Sequence, residues 1–153
     1  MRPPLWLEST ERLLKALRSI NLELEDAKDR FILVLEELNR RGKLFSRKAI
    51  LHHGGIDILK LILTEYFEDE IIVTLSMQLV ASFLIEDGVD VRLAVCGFKD
   101  TLQKVVDHYS SVDDKFIRID AQRILDSVSQ AENRLATEEI RYSYTEVIQY
   151  KNL

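Results

Sequence analysis

An all-α fold is predicted by three features of this 153-residue chain. Its two prolines, Pro3 and Pro4, precede the first periodic segment, so nearly all of the sequence lacks the residue that helix interiors tolerate least. The five glycines, Gly42, Gly54, Gly55, Gly88 and Gly97, stand between apolar-periodic stretches, where a helix end wants a residue free to take positive φ. Strict alternation of apolar and polar residues, the mark of a half-buried strand, is rare.

Each helix has its own signal. Leu13, Leu14, Leu17 and Ile20 recur at helical spacing, with Ser9 or Thr10 placed to cap the start. From Asp26 to Arg41, Phe31, Val34, Leu35 and Leu38 share one face. Phe45, Ala49 and Ile50 mark a short helix ending at Gly54-Gly55, and Ile58, Leu59, Ile62 and Leu63 the next, running to about Phe67. Glu68-Asp69-Glu70 then opens a very apolar helix to about Ile85, its acids complementing the helix dipole. Ile71, Ile72, Val73, Leu75, Met77, Leu79, Val80, Phe83 and Leu84 cover most of its circumference, as in a central helix. Val91 to Cys96 forms another short helix. Leu102, Val105 and Val106 follow in a medium one, and Ser111 to Asp114 introduces a long one through Phe116, Ile117, Ala121, Ile124, Leu125 and Val128. A polar amphipathic segment from Glu132 to about Tyr150 closes the chain.

Composition narrows the function. Hydrophobic residues at 46% and charged residues at 31% suit one globular domain. A net charge of −5 and pI near 5.3 lack the basic excess that nucleic acid or anionic lipid selects. Apolar runs are broken by charge too often for membrane insertion, and the lone Cys96 allows no internal disulfide. A cytoplasmic protein is the expectation, with the nucleus as the alternative.

The order short helix, glycine, medium helix, acidic turn, long helix occurs twice, from about Phe45 to Ile85 and from about Val89 to Ser129. Gly55 and Gly97 are 42 residues apart, and Asp69 and Asp114 are 45 apart. At the second offset Ile71 meets Phe116, Ile72 meets Ile117, Ser76 meets Ala121, Leu79 meets Ile124, Val80 meets Leu125 and Phe83 meets Val128. A period in the low-to-mid forties belongs to helical solenoids, whose single units cannot bury their faces alone. Lys48 to Leu63 (KAILHHGGIDILKLIL) resembles the armadillo signature, and Arg92 to Phe98 (RLAVCGF) is a looser copy. The resemblance spans roughly Leu13 to Ser129. It implies a right-handed armadillo-like superhelix with residues 1–8 as a mobile start and 9–43 as a partial repeat. Residues 44–87 and 88–130 would be full repeats, and 131–153 a C-terminal capping helix.

No catalytic constellation is legible. His52 and His53 are adjacent, and adjacent helical residues point about 100° apart; within one turn only Asp57 could join them as a ligand. Cys96 lies among Leu93, Ala94, Val95 and Phe98 like a small buried hydrophobe. The run from Asp107 to Asp114 gathers His, Ser and Asp, but reads as a loop and the cap of the next helix. No metal, cofactor or catalytic residue is expected, and the chain reads as a non-enzyme.

A binding surface remains. The resemblance implies that the third helices line a concave face, where the peptide-clamping armadillo proteins place Trp and Asn four residues apart. Those positions hold Gln78 and Ser82, Arg123 and Ser127, and in the partial repeat Leu33 and Glu37. None is Trp or Asn, so the expected partner is a protein or peptide held without a backbone-clamping ladder, and Glu37, Gln78, Ser82, Arg123 and Ser127 are its candidate contacts. Trp6, within Pro3-Pro4-Leu5-Trp6-Leu7, reads either as a cap over the first helix or as an anchor for a partner. Tyr142, Tyr144, Val147, Ile148 and Tyr150 suit either a cap on the stack or self-association through terminal helices. The function expected is a scaffold or adaptor, with a homo-oligomerisation element of a cytoskeletal or trafficking assembly as the alternative.

Overall fold

The structure, a computed structural model, describes residues 4–24, 26–43, 46–110 and 115–141. Among these every regular element is helical, and no strand occurs. The chain divides into two compact units, Met1–Ile85 and Glu86–Leu153.

The first unit opens with a 3-10 turn, Leu5–Leu7, followed by α1 (Thr10–Ser19). Ser9 caps α1, its Oγ accepting from the Arg12 N–H at 3.2 Å, and Leu13, Leu14 and Leu17 are buried. Asp26 takes φ 64°, a left-handed conformation that a short polar side chain tolerates best, and leads into α2 (Ala27–Lys43). As the spacing predicts, Phe31, Val34, Leu35 and Leu38 face inward. Then come α3 (Arg47–His52), α4 (Gly55–Glu65) and α5 (Glu70–Phe83). Leu35, Leu38, Leu63 and Phe83 are wholly buried, each contributing about 1.5–3 kcal/mol to folding.

Three contacts fix the direction of the two long helices of this unit. Lys28, at the start of α2, pairs with Asp69, the N-cap of α5, at 2.6 Å. Further along, buried Asn39 donates from Nδ2 to the Leu35 carbonyl at 3.0 Å and to the Leu75 carbonyl at 2.9 Å. In the last turn, a Cβ on Gly42 would stand 3.0 Å from Leu79 Cδ1 and 3.2 Å from Ser82 Oγ. Contacts advance together along both helices, so α2 and α5 lie side by side and parallel.

The second unit repeats the triplet as α6 (Val89–Val95), α7 (Phe98–Tyr109) and α8 (Lys115–Arg141), with α6 and α7 both packed on α8. Of the paired positions, Ile72 and Ile117, Ser76 and Ala121, Leu79 and Ile124, Val80 and Leu125, and Phe83 and Val128 are all buried. They form the i, i+4, i+7, i+8, i+11 stripe of one helix face.

Three expectations are corrected. The glycine equivalent to Gly97 is Gly54, not Gly55: both cap a medium helix at left-handed φ, 78° and 85°. Gly55 lies inside α4, where a Cβ would stand 2.7 Å from Ile50 Cγ2 and the Ile50 carbonyl oxygen. Second, Ile71 and Phe116 are not inward; they are 53% and 81% exposed, because each sits one residue, about 100°, off the buried stripe. Third, no separate helix begins near residue 131. With no glycine or proline to stop it, α8 runs unbroken through Ser129 to Arg141. Phe45, the Ser111–Asp114 cap and the tyrosine-bearing segment from Tyr142 to Tyr150 lie outside the described residues.

Candidate functional site

Glu37, Gln78 and Ser82 belong to the first unit. The Glu37 carboxylate, half-buried on α2, accepts from Arg40 Nη2 at 2.6 Å and Arg41 Nε at 3.0 Å. The Arg40 hydrogen bonds hold its carboxyl below the usual range; burial opposes them, and Arg41 adds to them. Arg41 in turn donates to the Leu5 carbonyl at 3.0 Å, the Glu8 carbonyl at 2.6 Å and Thr10 Oγ1 at 3.2 Å. Glu37 therefore orients the guanidinium that straps the N-terminal turn onto α2. Ser82 is half-buried, its Oγ donating to the Leu79 carbonyl at 2.6 Å, and its own carbonyl accepts from Arg47 Nη1 at 3.3 Å. Only Gln78 of the three presents its side chain openly to solvent.

Arg123 and Ser127 belong to α8 in the second unit. Arg123 is exposed and borders a groove of about 400 Å³ with Arg118, Ile119, Gln122 and Asp126. The half-buried Ser127 donates from Oγ to the Arg123 carbonyl at 3.3 Å.

Helical periodicity adds what the sequence reading missed. Ile71 stands i−7 from Gln78 and i−11 from Ser82, and Phe116 holds the same places relative to Arg123 and Ser127. Each pair of candidate residues therefore shares its helix face with a large, exposed apolar side chain at the head of the helix. On α2 the neighbour of Glu37 at i−4, Leu33, is exposed as well. The signal was present in the register: these positions fall one residue off the core stripe.

Trp6 and Leu7, carried by the turn that Arg41 straps down, are 65% and 60% exposed. Arg41 hydrogen-bonds both ends of this turn, and its apolar side chains face water.

The residues weighed for chemistry are engaged locally. The His52 and His53 rings meet edge to face at 5.1 Å, both exposed, at the end of α3. Cys96 is half-buried, its thiol directed at the Leu93 carbonyl at 3.4 Å. Asp107 accepts from Gln103 Nε2 at 2.9 Å, His108 packs edge-on against Tyr109, and the Ser110 hydroxyl donates to the Asp107 carbonyl at 2.7 Å. Among the described residues no three His, Cys, Asp or Glu side chains are grouped to hold a metal, and no helix is long and apolar enough to cross a membrane.

One charge feature also escaped the sequence reading. From Leu38 to Ile56 the chain carries five Lys or Arg and two His and no Asp or Glu. A count of sign along the sequence would have found it.

No protein-family model matches the chain, nor does any curated protein or solved structure.

Proposed function

We propose that this chain is a non-catalytic protein–protein interaction module of armadillo-like repeat type, working in the cytoplasm. Its long helices offer polar surface of mixed charge to a partner protein or peptide. The observation that carries the reading is that exposed Ile71 shares the face of Gln78 on α5, two turns before it, and that exposed Phe116 does the same for Arg123 on α8. An exposed apolar anchor rimmed by polar groups is the composition of a binding hot spot. Parallel packing of α2 on α5 supports the repeat reading, since third helices of successive repeats stack in this way. No Trp or Asn stands at the clamping positions, so side-chain contacts and not a peptide's backbone would carry affinity.

The test is Gln78→Glu combined with Arg123→Glu. Partners captured from the source cell and identified by mass spectrometry are expected to be lost, with the melting temperature nearly unchanged. Unaltered capture would overturn the assignment. A second reading, homo-oligomerisation, is favoured by the exposed Trp6 and Leu7 on a strapped turn. Light scattering over a dilution series separates the two: a monomer at every concentration excludes self-association.

A further inference from the structure

We infer that the surface formed by Arg18, Lys43, Lys48 and the His52–His53 pair docks an acidic segment of a partner protein. The inference rests on the interaction-module reading and gives its partner a chemistry. All 26 Asp and Glu of the chain lie outside residues 38–56, so this stretch is locally cationic in a molecule of net charge −5. The fold gathers it further. Arg18, at the end of α1, reaches the α3–α4 turn, its Nη2 lying 3.4 Å from where a Cβ on Gly54 would be. Lys48 and His52 stand four apart on one face of α3, and His53 touches His52. A Cβ on Gly42 would stand 4.0 Å from Arg47 Cγ, which places the last turn of α2, with Lys43, beside the start of α3.

Among the described residues, Arg18, Lys43 and Lys48 differ from their neighbours in having no carboxylate partner. Arg40 and Arg41 bind Glu37, and Arg47 donates to the Ser82 carbonyl. Arg18, Lys43 and Lys48 are exposed, and among the described residues none pairs with a carboxylate. The nearest acids along the chain are Glu23 to Arg18, Glu37 to Lys43 and Asp57 to Lys48; Glu37 is held by Arg40 and Arg41, and Asp57 sits beyond the turn in the first turn of α4. Three unpaired cations on one surface attract an anionic ligand. The range of that attraction selects its kind. Charges are screened beyond about 8 Å at physiological salt, so a short acidic peptide senses the patch alone. A nucleic acid or an anionic membrane extends past it, onto the rest of a molecule of net charge −5.

Fluorescence anisotropy of the intact chain with a labelled peptide of alternating Glu and Leu tests this. Binding is expected, weakening as salt is added, and the same peptide with Gln for Glu should not bind. Lys43→Glu with Lys48→Glu should raise the Kd at least about tenfold, a change of about 1.4 kcal/mol. Lys43→Arg with Lys48→Arg should bind like the wild type, and both variants should melt with it. Equal binding by the charge-reversed protein, or none by the wild type, overturns the inference while leaving the α5 and α8 surfaces to their own capture test. Tighter binding of phosphatidylserine vesicles or a DNA oligonucleotide than of the peptide overturns the protein-partner reading as well.

Discussion

The helix triplets α3–α5 and α6–α8 follow one plan and differ in how their long helices are held. In the first, α5 is a 14-residue helix begun by Asp69, whose carboxylate accepts from the Ile71 and Ile72 N–H groups, and it lies parallel to α2. In the second, α8 runs for 27 residues, and its later turns are tied by charge. Glu132 accepts from Lys99 of α7 at 3.0 Å, and Arg134 pairs with Asp90 of α6. The buried stripe is common to both, so it defines the unit. The flanking polar contacts are particular to each.

The largest effects should therefore be matched between the triplets. Leu79→Ala and Ile124→Ala remove equivalent, fully buried side chains, and each should cost about 2–5 kcal/mol in denaturant unfolding. A cost below about 1 kcal/mol at either one would break the equivalence. Next come the polar ties, where the units should diverge. Arg41→Met removes three part-buried hydrogen bonds to the N-terminal turn and should cost about 2–3 kcal/mol. Because Trp6 is the sole tryptophan, its fluorescence anisotropy should fall as the turn is released. Arg134→Met breaks an exposed pair and should cost under about 1 kcal/mol. Equal costs would mean that the strap on α2 is no stronger than a surface ion pair.

Much of this comparison was legible in the sequence, and the failures have physical causes. Helix class, order and the buried stripe follow from apolar spacing, which burial enforces at every turn. Choosing between Gly54 and Gly55 was beyond pattern, since both suit a turn and only the fold shows Gly54 as the left-handed cap and Gly55 as the first residue of α4, with no room for a Cβ beside Ile50. Ile71 and Phe116 misled because an apolar residue next to the stripe looks the same in sequence whether covered or not. The unbroken α8 was readable in principle, for no breaker stands between Val128 and Glu132. Arg41 was not: its partners Leu5, Glu8 and Thr10 lie over thirty residues away and depend on the fold. Of the candidate surface, the exposed Gln78 and Arg123 could be read from the repeat, whereas the engagement of Glu37 by Arg40 and Arg41 could not.

A smaller effect concerns pH and the first unit. Burial works to raise the Asp69 carboxyl, but Lys28 and the Ile72 and Ile71 N–H groups outweigh it, and Asp69, like Glu37, sits below its ordinary value. Both groups therefore ionise more readily folded than unfolded. The stability they supply is complete above the ordinary values of 3.8 and 4.5 and is lost as the pH falls through the lower folded ones. Melting temperature should drop in that acid range, and less steeply in Asp69→Asn. An unchanged slope would remove the Lys28–Asp69 pair from the account.

The proposal that matters most is that exposed Ile71 on α5 and Phe116 on α8, each on the face of its helix's polar candidates, anchor a partner. Quantitative affinity capture from the source cell, comparing wild type with Ile71→Ser combined with Phe116→Ser, tests it directly. Both side chains are exposed, so stability should move by less than about 0.5 kcal/mol per site, while the retained partners should be lost. An identical retained set, or a variant that unfolds several kcal/mol earlier because these residues are core after all, would contradict it.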